Sequence, residues 1–428
     1  MKPLTIKLKQ QTPIILFQNN QNGATLRGSD IKPRIDKYLN VKNLSNYFTK
    51  SCLDEDIIDA VNEQNERMNK KKGSLYQVEI QSQKPREFQV KKKGYRSLYF
   101  GDIDKMLFYK ENVLIIKSFH PGMLKAAELA AKIMLANENF GVRQNKGYGS
   151  YIIDDCNIED ILTKSERGTV FYFDMKINDD NKKFHELFTK IYYMYNTLKG
   201  GVNEDLNRVA PMKYSKSLLF KYIKSKKSDL IWEKRLFKLE LGNWRDFDSV
   251  KNHNNTILIR HLLGLSDTYN FTSDFSRNNK PARMDTEDYA PRAGYTITND
   301  EISIKNNYRF ILKNNNYARI PSPLLFKPVQ TSNGFRVYII LKPDILQENS
   351  SLINPDFSVT KEKGIAKNKF IKVNKFNSTG AYILKSIDQF DLKDFFAFVK
   401  NKFDLQQERI KPEIINKYVS EIKIEKLV

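Results

Sequence analysis

The sequence predicts an α+β fold, with two ferredoxin-like (RRM-like) domains in tandem that carry helical and loop insertions. Three observations support this. Residues 1–165 run strand, helix, insertion, strands, helix, loop, strand, the order of a split βαβ unit. A second pass of strand and helix begins at Thr169. The segment Thr12-Pro-Ile-Ile-Leu-Phe17 is echoed by Ser322-Pro-Leu-Leu-Phe326. A length of 428 residues suits two or three domains. The boundary is set at 165/166, giving domains 1–165 and 166–428.

In the first domain, Leu4 to Phe17 reads as a strand interrupted near Pro13. Gln18 to Gly23 is a polar turn. Ser29-Asp30 is placed to cap a helix running to Leu39, with Ile31, Ile35, Tyr38 and Leu39 at helical spacing. Pro33 falls in its first turn, where a missing N–H costs little. Asp54 to Lys72 is a charged helix and Leu75 to Ile80 a strand. Lys84 to Arg96 is basic and carries Lys91, Lys92 and Lys93. It reads as a solvated hairpin tip or as a finger reaching for phosphates. Val113 to Phe119 is a strand, Gly122 to Asn137 an amphipathic helix and Gly149 to Ile153 a strand.

In the second domain, Val170 to Ile177 is a strand and Phe184 to Leu198 a helix that Gly200-Gly201 ends. Ser217 to Leu241 is basic and largely helical, and Ile257 to Leu265 is a short helix. Asn270 to Gly294 is a polar loop. Tyr308 to Leu312 is a strand. Ile320 to Val329 and Phe335 to Leu341 are strands about an Asn333-Gly334 turn. Ile387 to Phe403 is a closing helix, and Pro412 to Val428 a further helix or strand.

The formal net charge is +22, and an excess of that size favours a polyanionic partner. Part of it is compositional, because the chain is rich in Asn, Lys and Ile. With 40% hydrophobic residues, 27 Phe and 22 Tyr, the chain has enough apolar mass for real cores. Cys52 and Cys156 give neither a disulfide framework nor zinc spacing. No apolar run reaches the ~18 residues that span a bilayer, and the N-terminus lacks the apolar core of a signal peptide. A cytoplasmic protein with no membrane contact is expected.

The segment of greatest chemical interest is Gly141-Val-Arg-Gln-Asn-Lys-Gly-Tyr-Gly-Ser150. Gly141, Gly147 and Gly149 allow sharp bends and close backbone approach. Arg143 and Lys146 suit phosphate, and Tyr148 offers a face for a base to stack on. The four histidines show no metal spacing. His120, at a strand end before Pro121, is the one position for a general base. Asp154-Asp155 reads as a turn. There is no phosphate-binding P-loop motif and no nucleophile elbow. No cofactor or metal is expected.

Three segments together resemble one family. Thr12-Pro-Ile-Ile-Leu-Phe17, followed by Ala24-Thr-Leu-Arg-Gly-Ser-Asp-Ile-Lys-Pro-Arg34, resembles the opening of the repeat-associated mysterious proteins (RAMPs) of CRISPR systems. There a Thr/Ser-Pro-Leu strand precedes an Ile-Pro-Gly-Ser-Ser-Leu-Lys-Gly helix start. Phe140 to Ser150 is similar to their glycine-rich loop. Ala318-Arg-Ile-Pro-Ser-Pro-Leu-Leu-Phe-Lys327 resembles the Arg-x-x-Ser-Pro-Leu strand of larger members. The length and doubling look like the two-domain RAMP subunits of the type III-B Cmr module.

The resemblance implies ferredoxin-like domains that hold CRISPR RNA or its paired target beside other RAMP subunits of an effector complex. Arg27, Ser29, Lys32, Arg34, Lys91, Lys92, Lys93, Arg319 and the loop residues Gly141, Arg143, Lys146, Gly147, Tyr148 and Gly149 are the expected RNA contacts, directed at phosphates rather than bases. The chain departs from the pattern at Gly28-Ser-Asp-Ile-Lys-Pro33. It also lacks the Asp that RNA-cleaving backbone members carry between the first strand and helix, since Gln18 to Arg27 holds no carboxylate. A non-cleaving subunit is therefore expected. Two other readings stay open: a metal-independent endoribonuclease processing repeat RNA, with His120 as base and Lys146 or Lys125 stabilising charge, and a basic RNA-binding protein outside CRISPR.

Overall fold

The computed structural model describes residues 2–16, 26–89, 105–164, 169–177, 179, 182–203, 214–227, 231–232, 256–257, 259–264, 268–273, 306–313, 321–347, 357–366, 369–372, 382–384, 390–407 and 415–427. Lys91, Lys92, Lys93, Arg319, the 18–23 turn and the 274–294 part of the polar loop lie outside them. The chain forms two compact units. The first joins Met1–Tyr192, Leu324–Lys342 and Ile422–Val428; the second joins Tyr193–Pro323 and Pro343–Glu421.

In the first unit, β1 (Leu4–Gln10) alternates between Ile6, Leu8 and Gln10 turned inward and Thr5, Lys7 and Lys9 turned outward. This period of two marks a sheet with one buried face. Helices α1 (Gly28–Tyr38), α2 (Val41–Tyr47) and α3 (Glu55–Asn69) follow. Next come β2 (Tyr76–Gln89), β3 (Lys105–Ser118), α4 (Pro121–Asn137) and β4 (Tyr151–Ile153). The sheet order is β2-β3-β1-β4, antiparallel throughout. That is the ferredoxin-like βαββαβ arrangement. Ala126, Ala127, Ala130 and Ala131 of α4 are fully buried, and the small side chains let α4 pack closely on α1 and α3.

The same plan recurs. After α5 (Ile158–Leu162), β5 (Val170–Lys176) and α6 (Lys183–Lys199) lead on to β6 (Leu324–Thr331), β7 (Gly334–Leu341) and, past a helix at Leu392–Gln407, β8 (Glu425–Lys426). Their sheet order is β6-β7-β5-β8, again antiparallel. The fold is α+β with two ferredoxin-like sheets in tandem. A single cut at 165/166 does not follow the compact units, however. β5 finds its partners in β7 and β8, so the first unit draws in β5 together with two distant segments.

The second unit holds Leu218–Lys226, capped by Ser217 whose hydroxyl accepts from the Phe220 amide at 3.2 Å. It packs on the Leu392–Gln407 helix, where the Tyr222 hydroxyl donates to Asp394 at 2.8 Å. A further sheet pairs Thr268–Ser273, Asn306–Lys313, Phe357–Ala366 and Lys369–Lys372 in that order, with Tyr382–Leu384 also on Phe357–Ala366. Around 257–265 the expected helix is only a 3₁₀ turn at Arg260–Leu263.

Candidate nucleic-acid interface

Parts of the three segments that carried the family resemblance, residues 12–16, 26–34, 140–150 and 324–327, are far apart in sequence and lie in the first unit. The stretch after β1 remains extended, with Gln11 and Thr12 fully buried. Its groups are paired with the glycine loop. The Thr12 hydroxyl donates to the Gly147 carbonyl at 2.7 Å and accepts from the Ser150 amide at 2.9 Å. The Gly149 amide donates to Pro13 O and the Val142 amide to Ile15 O, at 2.9 and 2.8 Å. From the other side β6 closes on the loop. The Phe326 amide donates to Asn145 O at 3.2 Å, Asn139 donates to Phe326 O at 2.8 Å, and the Ser150 hydroxyl donates to Pro328 O at 2.8 Å.

Glycine is required where the loop runs against backbone. A Cβ on Gly149 (φ +65°) would lie 2.0 Å from Phe140 O, and one on Gly141 (φ +78°) 2.4 Å from Ile15 O. Arg143 adopts a left-handed φ of 57° despite its side chain, a local cost of about 1 kcal/mol that the surrounding bonds offset.

The two halves of the loop differ. Gly147, Tyr148, Gly149 and Ser150 are buried, whereas Val142 is exposed and Gly141 and residues 143–146 are partly exposed. Tyr148 does not offer its ring to a base. It stacks on Phe188 of α6 at 3.8 Å with 7° between the planes, and is 3% exposed. Burial pushes its phenol well above its ordinary pKa. An apolar neighbour from the 183–199 helix has taken the face expected for a base.

Arg34 is also committed within the protein. Its Nη1 donates to Glu138 at 2.9 Å, to Asn139 O at 2.8 Å and to Gln144 at 3.2 Å, and its guanidinium lies 4.8 Å over the Phe140 ring. Glu138, 8% exposed, further accepts from the Tyr38 hydroxyl at 3.0 Å and faces Lys37 at 3.8 Å. Arg34 thus braces the loop from α1 rather than standing ready for a phosphate. Lys32 pairs with Asp36 at 2.9 Å and lies 4.5 Å over the Tyr76 ring. Ser29 does not cap α1. The helix starts at Gly28 with Arg27 at the N-cap and no side-chain cap bond. Arg27 and Ser29 are exposed there.

His120 is the N-cap of α4, and its Nδ1 accepts from the Met123 amide at 3.4 Å. Its geometry has a structural explanation. Among the described residues no group of three or more His, Cys, Asp or Glu could hold a metal, and no helix is long and apolar enough to cross a membrane.

One residue was quoted within a motif but not singled out. Lys327 of β6 is 0% exposed. Its ammonium donates to Glu138 O at 2.9 Å and Tyr151 O at 3.2 Å, with Asn139 Oδ1 at 3.4 Å and Ser150 Oγ at 3.5 Å. Burial, with the charge of Lys342, pulls its pKa down to about 7 against the attraction of Glu138. The sequence signal was a lysine between Phe326 and Pro328 in an otherwise apolar strand.

The doubled strand order, and a glycine loop held by two Pro-containing segments, define a tandem ferredoxin-like protein of the RAMP class. Family models agree: the Cmr1 N-terminal domain matches residues 1–202 and the Cmr1 C-terminal domain residues 214–420. The chain belongs to the Cmr1 family, and membership makes it a subunit of the multi-protein type III-B CRISPR effector complex, alongside other Cmr subunits. The crystal structure of Cmr1 from Pyrococcus furiosus (apo form) aligns over 100% of this chain and 99% of its own, at 10% identity and a TM-score of 0.37. No residue correspondence follows from so distant a likeness. Among curated proteins none matches the sequence.

Proposed function

We propose that this chain holds RNA, guide or paired target, by its phosphates within the effector complex, and does not cut it. The observation that carries the reading is the shape of the glycine loop. Its buried half is fixed on both flanks by hydrogen bonds, while its outer half carries Arg143 and Lys146, both partly exposed. A fixed backbone that carries two cations suits a repeating anion and reads no sequence. Arg27 and Ser29, exposed at the start of α1, are further candidate contacts in this reading. The net charge of +22 supports a polyanionic ligand. His120, engaged as a helix cap, gives no support to a cleaving role.

Arg143→Glu combined with Lys146→Glu is expected to weaken binding of single-stranded RNA at least tenfold at moderate salt. It should also reduce the slope of log affinity against log salt by up to about 2, one unit for each lost phosphate contact. Titrations at four salt concentrations measure both. Affinity and slope equal to those of the unaltered protein would count against the proposal.

A further inference from the structure

Both flanks of the glycine loop, Glu138-Asn139 on one side and Ser150-Tyr151 on the other, converge on a single ammonium group supplied by β6. A lysine ammonium has three N–H donors and no acceptor. Here it faces four oxygens in a site closed to water, the two nearest being the Glu138 and Tyr151 carbonyls. A charge buried like this is costly unless such partners surround it. The arrangement also works in reverse. The carbonyls of Glu138 and Tyr151 turn inward, and removal of the ammonium leaves them buried with one donor fewer. We propose that Lys327 is the positioning residue of the RNA-holding loop: it fixes the separation and orientation of the loop's two ends, so that the outer half, with Arg143 and Lys146, is shaped before RNA arrives.

The proposal rests on the RNA-holding reading but makes a separate structural claim. Lys327 is fully buried and touches no ligand, so its effect has to pass through the loop. Bonds from the Thr12 side fix Gly147, Gly149 and Ser150, and Arg34 braces residues 138–144 from α1. Lys327 bonds both flanks at once. A preformed loop spares the ligand the cost of ordering it.

The test is Lys327→Met in the full chain, since methionine fills similar volume without the charge. Hydrogen exchange follows the amides of Phe140, Val142 and Gly149 beside those of Ile6 and Ile116 in the first sheet. The expected result is loss of protection confined to the loop amides, with RNA affinity down at least tenfold and the salt slope unchanged. An unchanged slope separates lost positioning from a lost phosphate contact. Should Lys327→Met fail to fold, Lys327→Gln, which keeps an N–H donor but loses the charge and the reach of the ammonium, is measured in its place, with a smaller change in the same direction expected. Loop amides that stay protected overturn the proposal. So does loop exposure with unchanged RNA affinity. If the unaltered protein binds no RNA, the functional reading fails, while the exchange data still decide whether Lys327 holds the loop.

Discussion

At the scale of single residues, the loop shows how far a sequence specifies its chemistry. The need for glycine was legible, because only glycine tolerates φ +65° at position 149 with Phe140 O in the way. Gly149→Ala should lower the stability of the first unit by more than about 2 kcal/mol, read as a shift in denaturant midpoint; a shift below a few tenths would mean the loop gives way easily. The direction of Tyr148 was not legible, because an irregular loop has no periodicity from which to read a face. Lys327 escaped notice for a similar reason: lysine is almost never fully buried.

Lys327 also sets a pH dependence. Unfolded, it titrates near 10.5, and folded near 7. Between those values the unfolded chain binds the extra proton, so stability rises with pH over that window, by about 2 kcal/mol between pH 7 and 9. Urea unfolding at the two pH values, with and without Lys327→Met, isolates this contribution, and equal pH slopes in both proteins would refute it.

At the scale of elements, strands and helices with clear period were read well. α4 was expected over Gly122 to Asn137 and spans Pro121–Asn137, and a tight turn does join β6 and β7, at 332–333, one residue before the expected Asn333-Gly334, with Gly334 already paired in β7. Element ends were harder. Ser29-Asp30 has the composition of a cap, yet α1 begins at Gly28, so Asp30 instead serves the first turn, where an acid suits the helix dipole. His120 is the converse, a chemically versatile side chain that serves as a cap. His120→Ala should cost about 0.5–1 kcal/mol through lost capping and leave RNA affinity unaltered. Thermal melts and binding titrations check both; a large loss of affinity without a stability change would make His120 a ligand contact.

At the scale of the whole molecule, the doubled βαββαβ plan was readable because each strand and helix announces its own period. The compact units were not readable from a linear cut, because which strand pairs with which is a property of long-range contacts. β5 pairs with β7 and β8, both far downstream. The fragment 1–202 retains β1 to β4 but lacks every strand that β5 binds. It should melt at least several degrees below the full chain and bind a hydrophobic dye, and co-expression with 203–428 should reverse both effects. A fragment as stable as the full chain would show that the second sheet contributes little to the unit.

β5 also has a consequence for biosynthesis. Phe171 and Phe173 are 3% and 0% exposed once paired, but about 250 residues separate the end of β5 from β8. At translation rates of 5–20 residues per second, the nascent chain waits roughly 12 to 50 seconds for that last neighbour. Throughout that interval an aromatic strand edge stands open to the ribosome's surroundings, a natural client for a chaperone.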